Sequence, residues 1–286
     1  MRLTGKMSNC SIPADKTSVV VAISYSVVML VGLPLNGLSL WIILKRHGLK
    51  SSNTVFMANL ALSDFLLTLP LPLRIYYHST AIWPFGDVVC TTSRMLFRVN
   101  TCTSAVFITF IGVDRLLAVE FPLRSRMLRT SRSSGIACAV TWVLFIVLNI
   151  PQAITGNKDM IDCSEKARLE WWGVAGSLTI FALLMVNVVS TAMVMRTLHR
   201  LKTESIRRNK GRVMMIFGVN LFMFAAFFVP YGMLLFLRSL CVIQYNLVVR
   251  MGTVCFVSFN ICFDPLVYYF SLDDFWKKKA QHTLDT

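Results

Sequence analysis

Asp64 and Asp264 stand in the middle of long apolar stretches, with Ser104 and Asn260 at comparable depth. A carboxylate in such surroundings needs a cation, hydrogen-bond donors or a proton. Asn260 and Asp264 are four apart and share one helical face. With Asp64 and Ser104 they could make an oxygen-rich pocket for a small cation such as sodium. A neutral hydrogen-bond network bridging helices is the equal alternative. A second set is cationic: Arg74, Arg94, Arg98, Arg238 and Arg250 gather towards one end of the apolar stretches. At ~1.5 Å per residue, Arg94 and Arg98 lie roughly 6 and 12 Å past Cys90. Guanidinium groups grip phosphate and carboxylate in bidentate fashion, so an anionic ligand is the expected partner of Arg74 and Arg98. For Arg94, Arg238 and Arg250, snorkelling outward is as good a reading. Tyr76, Tyr77, Phe97 and Tyr231 would give such a pocket aromatic walls, or would simply be packing. A third set, Asp114-Arg115, closes an apolar run and is followed at once by a basic, proline-containing segment from Phe121 to Arg129. Charges at a membrane edge are costly and tend to be functional, although a terminal Arg can also merely snorkel.

The elements that must position these groups are membrane spans. The chain of 286 residues is 55% hydrophobic and 15% charged, with a mean hydropathy of +0.62. Soluble domains sit nearer ~45–50% apolar and ~25% charged, so this chain belongs among membrane proteins. Seven apolar blocks, near or above the ~20 residues needed to cross the hydrocarbon core, read as helices over 19–44, 53–77, 88–116, 134–153, 171–196, 212–240 and 246–270. The expected fold is all-α: a seven-helix membrane bundle. Residues 1–18 form a tail without the apolar core of a signal peptide. Residues 271–286, with Phe275 and Trp276 beside Lys277, Lys278 and Lys279, read as a short amphipathic helix lying on the membrane.

Charge sets the orientation. Lys45, Arg46, Lys50, Arg124, Arg126, Arg129, Arg132 and the basic run from Arg196 to Arg212 fall in one set of loops; Lys158, Lys166, Arg168, Arg238 and Arg250 fall in the other. The richer side is cytoplasmic, so the N-terminus is outside. The formal charge of +15 then reflects an anionic membrane face rather than nucleic acid. An outside tail makes Asn9 of Asn9-Cys10-Ser11 a glycosylation acceptor. It also puts Cys90 and Cys163 in an oxidising compartment as the expected disulfide, with Cys10 and Cys241 as a candidate second one. Cys102, Cys138, Cys255 and Cys262 read as core thiols. Pro34, Pro70, Pro72, Pro151, Pro230 and Pro265 fall inside spans and would kink them.

Read in order, the motifs resemble those of rhodopsin-like (class A) G protein-coupled receptors over essentially the whole chain. They are Asn36; Leu60-Ala61-Leu62-Ser63-Asp64; Cys90; Asp114-Arg115-Leu116; Trp142; Phe224 to Tyr231 with Phe228 and Pro230; and Asp264-Pro265-Leu266-Val267-Tyr268. The resemblance implies a mechanism. Asp114-Arg115 would hold an inactive state, Arg115 would meet a heterotrimeric G protein when the sixth helix swings out, and Tyr268 would rotate inward. Phe228 stands where the family has its Trp switch. Leu71 to Tyr77, Trp83 to Asp87 and Pro122 to Thr130 are similar to the purinergic-receptor-like cluster, and within it to lysophosphatidic acid receptors. The chain departs from that pattern at Leu116, at Phe228, in a fifth span without proline, and at Arg98, where those receptors tend to carry an aromatic residue.

The resemblance thus implies a receptor for an extracellular anionic ligand, a lysophospholipid first; a nucleotide, a small carboxylate or a tethered peptide are the alternatives within the class. An ion-coupled transporter could also use Asp64 and Asp264, but seven spans without an inverted repeat argue against one. Without a His–Glu metal motif or a Gly-x-Ser-x-Gly elbow, an intramembrane enzyme is not expected, and no cofactor beyond the sodium ion is.

Overall fold

A computed structural model describes residues 17–121, 123–154, 171–200, 204–240 and 247–271. Among the described residues, seven segments are helices long and apolar enough to cross a membrane, at Val19–His47, Ser52–Thr80, Gly86–Glu120, Ser131–Pro151, Gly173–Arg200, Val213–Ser239 and Val248–Leu266. They match the seven expected blocks, with the first, second, third and fifth running three or four residues further at their C-terminal ends. Asn9, Cys10, Cys163, Cys241 and the amphipathic segment from residue 272 onward lie outside the described residues.

The first helix, α1 (Thr17–Ile42), unwinds into a π turn, Ile43–His47, which Gly48 closes by donating its N–H to the Ile43 carbonyl at 2.8 Å with φ +65°. A capping box opens α2 (Ser52–Thr68): the Ser51 hydroxyl accepts from the Thr54 N–H, and the Thr54 hydroxyl accepts from the Ser51 N–H. Proline interrupts the second span. Leu69 and Pro70 form a turn, and the span restarts as α3 (Leu71–Thr80) with Pro72 in its first turn, where a missing N–H costs nothing. The long α4 (Gly86–Glu120) comes next, then a 3-10 turn, Arg124–Met127, and α5 (Ser131–Ile154). After these come α6 (Trp171–Arg200) and α7 (Glu204–Ser239). The last span is two helices, α8 (Leu247–Ser258) and α9 (Asn260–Ser271), joined by a tight turn in which Phe259 donates to the Phe256 carbonyl. We call the end of the bundle carrying Trp83 and Cys90 the upper end, and the end carrying Asp114 the lower.

Helix α4 is the axis of the bundle, packing against α2, α5, α6 and α7. The most apolar stretch of the second span is 72% buried and that of α4 is 61%, against 17% for the fourth span. The second and third spans are therefore interior, and the fourth gives most of its surface to lipid. Phe107, Phe224, Phe228, Met57 and Leu60 are fully buried at the centre, while Leu30, Trp41, Val140 and Phe222 point outward. In hydrocarbon those outward side chains carry no penalty, because lipid tails are as apolar as they are.

One contact shows why the ends of the chain close on each other. Pro265 has no N–H, so the carbonyl of Ile261 loses its partner within α9. Asn36 of α1 replaces it, donating from Nδ2 to Ile261 O at 2.8 Å and to Gly32 O at 3.0 Å. The approach needs Gly32, since a Cβ there would fall 2.7 Å from Ile261 Cγ2.

Candidate functional site

Three polar levels are stacked through the bundle. At the upper level, the break at Pro70 turns Arg74 inward from α3. Its Nε donates to Ser93 Oγ and its Nη2 to the Ser93 carbonyl, both at 2.8 Å. The guanidinium carbon lies 5.3 Å from the Phe97 ring centre and 6.0 Å from that of Tyr25. Arg74 is thus held by three side chains from two helices, and only Phe97 among them was expected from sequence. Arg98, one helical turn below Arg94, donates from Nε to Asn149 Oδ1 of α5 at 3.1 Å. Asn149 is 8% exposed and gives its own N–H to the Phe145 carbonyl. Arg98, Arg238 and Arg250 all lie within electrostatic range of the Tyr231 hydroxyl, and Arg74 and Arg250 within range of Tyr25. Arg250 is thus common to the surroundings of both tyrosines. Tyr77 is 8% exposed, edge-on to Trp83 and His78. Among the described residues, the only carboxylate at the upper end is that of Asp87, exposed in the first turn of α4. Cys90 is buried and disulfide-bonded.

At the middle level, Asp64 and Asp264 are fully buried and their carboxyl groups are near neighbours. Asp64 Oδ1 accepts from Asn100 Nδ2 and from Ser104 Oγ, each at 3.2 Å, and Asn260 donates to Asp264 Oδ2 at 2.5 Å. The four residues expected to assemble here do so, and Asn100 joins them. Asp64 Oδ2, Asp264 Oδ1 and Asn260 Oδ1 are buried with no donor among the described residues. A cavity of about 10 Å³, room for about one water or small ion, lies against Asn100, Ser104, Ser258 and Asn260, with Phe228 at its edge. Two neighbouring carboxylates cannot both stay ionised in such a place without a counter-charge. An all-oxygen set of this kind fits a small hard cation, and a single shared proton would also satisfy it.

At the lower level the pairing differs from expectation. Asp114 is 3% exposed, and Arg129 beyond the 3-10 turn donates from Nε to Oδ1 and from Nη2 to Oδ2, each at 3.0 Å. The carboxylate expected to act with its neighbour Arg115 gives both oxygens to Arg129, which in the sequence is one loop cation among several. The loop is fastened by Ser125, 2% exposed, whose hydroxyl donates to the Leu117 carbonyl at 3.0 Å. Arg115 stands half-buried beside the pair with polar contacts of its own. Phe224 and Phe228 stack above with ring centres 5.1 Å apart, and Pro230 lies on the exposed side of α7. Tyr268 is in α9, and its side chain lies outside the described residues. Trp142 donates to Asn59 Oδ1 at 3.1 Å, tying α5 to α2.

Residues 35–268 match the family model of the 7 transmembrane receptor (rhodopsin family). The chain is 36% identical to lysophosphatidic acid receptor 4 of Mus musculus over 275 residues, covering 88% of this chain and 74% of that one. It is 33% identical to lysophosphatidic acid receptor 6 of Gallus gallus over 290 residues, covering 93% and 94%. It is 32% identical to the S-geranylgeranyl-glutathione receptor P2RY8 of Homo sapiens, covering 90% and 77%. Those proteins are receptors and not enzymes. With seven spans, buried Asp64 and Asp264, and Asp114-Arg115 at the lower edge, this chain belongs to the rhodopsin family of seven-transmembrane receptors.

Proposed function

We propose that the chain is a plasma-membrane receptor for a lysophospholipid, binding the lipid's phosphate at Arg74 and Arg98 and activating a heterotrimeric G protein at its lower, cytoplasmic end. The observation that carries the reading is the Arg74 guanidinium, turned into the upper end of the bundle between Ser93, Phe97 and Tyr25. A guanidinium at that depth suits phosphate, which it can grip in bidentate fashion. Arg74, fixed by two bonds to Ser93, is pre-oriented, which reduces the ordering cost of binding. Kinship with receptors named for lysophosphatidic acid supports the same class.

Ligand binding would favour a state in which Asp114 and Arg129 separate and the lower half of α7 moves away from α4, opening the surface that a G protein meets. A sodium ion held by Asp64, Ser104, Asn260 and Asp264 would favour the closed state, by supplying charge to neighbouring oxygens. The basic lower loops would keep that side in the cytoplasm, with the N-terminus outside.

The test is second-messenger release in cells expressing the chain, challenged with lysophosphatidic acid, S-geranylgeranyl-glutathione, a nucleotide panel and small carboxylates. Lysophosphatidic acid should elicit release, and Arg74→Ala and Arg98→Ala should each raise its half-maximal concentration at least tenfold at equal surface expression. A response to S-geranylgeranyl-glutathione alone would move the assignment to that ligand. No response across the panel from a receptor present at the surface would sink it.

A further inference from the structure

Between the middle and lower levels, three helices are joined by a chain of polar side chains that the mechanism above does not use. Asn220 of α7 donates from Nδ2 to Asn187 Oδ1 of α6 at 3.1 Å. Asn187 donates from Nδ2 to Thr109 Oγ1 of α4 at 2.8 Å, and Thr109 donates to the Ala105 carbonyl at 2.8 Å. The donors all run in one direction, so no group competes with its neighbour for a proton. Thr109, Asn187 and Asn220 are 3%, 2% and 4% exposed. Gly112, one turn below Thr109, makes the meeting possible. A Cβ there would lie 3.1 Å from Asn220 Nδ2 and 3.2 Å from Asn187 Oδ1, tighter than ordinary contact.

The surroundings are otherwise apolar. Phe224 and Phe228 pack above; below, Leu116, Val194, Leu198 and Phe217 form a separate cluster between the same three helices. Apolar contacts of this kind slide past one another at little cost, whereas a buried amide pair is directional and is lost when its helices part. Asn220 lies ten residues below Pro230, about 15 Å along α7. A hinge at that proline would therefore shift Asn220 relative to α4 and α6.

We propose that Thr109, Asn187 and Asn220 form a latch that holds the lower half of α7 against α4 and α6 and so sets the receptor's ligand-independent activity. The inference rests on the G protein-coupling reading above. Opening α7 breaks the Asn220–Asn187 bond and leaves the Asn187 oxygen without its donor, which biases the equilibrium towards the closed bundle. A continuous α6 carries Asn187 at the level where Thr109 and Asn220 meet it.

The experiment compares wild type with Asn220→Leu, Thr109→Val, Thr109→Ser and Gly112→Ala, with no ligand added. One readout is second-messenger release per surface receptor; the other is hydrogen–deuterium exchange along Val213–Ser239 in the purified protein. Asn220→Leu and Thr109→Val should each raise basal release roughly threefold, the weight of one interhelical hydrogen bond in a membrane, and should speed exchange below Pro230. Gly112→Ala should do likewise by wedging the amides apart, and Thr109→Ser should behave as wild type. Unchanged basal release and exchange in Asn220→Leu and Thr109→Val would overturn the latch. Faster exchange with no release from any variant, wild type included, would instead overturn the coupling reading and leave the latch standing.

Discussion

At Asp114 one carboxylate takes both of its hydrogen bonds from one guanidinium, so the pair behaves as a single clasp between α4 and the loop below it. Arg129→Ala should leave a nearly buried carboxylate without that donor and lower stability by about 1–3 kcal/mol, since Arg129 is partly solvated. Arg129→Lys should recover only part of the loss, because an ammonium cannot match the two-pronged geometry. Thermal unfolding of the purified receptor in detergent measures both, and an Arg129→Ala protein as stable as wild type would show that no such clasp operates. The acid was legible in the sequence because an Asp-Arg closing an apolar run is conspicuous. Its partner was not: Arg129 is fifteen residues on, beyond Pro122, among cations of identical type, and only the turn fastened by Ser125 decides which of them swings back. The same holds for Ser93 and Asn149. Each is an ordinary polar residue until the facing helix shows which arginine it supports.

At the scale of the element, the spans were readable to within four residues at either end, because membrane helices must satisfy every backbone group internally and must be long enough to cross. How they face one another was not, since a run of apolar residues gives no preferred side. Asn187 and Asn220 are visible as polar interruptions, but only the close passage at Gly112 makes them partners. Proline is the exception, because it names the carbonyl it abandons. From Pro265 it follows that Ile261 O needs a foreign donor, and Asn36 is that donor. Asn36→Ala should therefore cost about 1–3 kcal/mol, the penalty for a buried carbonyl left bare. In a Pro265→Ala background the helix supplies its own N–H, and the same substitution should cost much less. A double-mutant cycle read by thermal unfolding gives the coupling directly. Equal costs in the two backgrounds would show that Asn36 serves some other purpose.

For the whole molecule, the three polar levels divide the bundle into an arginine-bearing upper end, a core of neighbouring carboxyls and a lower clasp. An ion at the middle level would be linked to both ends. If sodium binds there, replacing N-methylglucamine chloride with sodium chloride at constant ionic strength should raise the unfolding midpoint of the ligand-free receptor by several degrees. Asp64→Asn should abolish the difference, and a wild-type midpoint indifferent to sodium would favour the shared proton instead. The contact between Asn36 and Ile261 has another consequence, for the making of the protein. It joins residues 225 apart, so at ~5–20 residues per second the first helix waits roughly ten to fifty seconds before its partner has been synthesised. Throughout that interval the Asn36 amide has the Gly32 carbonyl of its own helix as a partner, and its second bond forms only when α9 arrives. A chain cut short before α9 would lack that second bond, and with it a tie between the first and last spans.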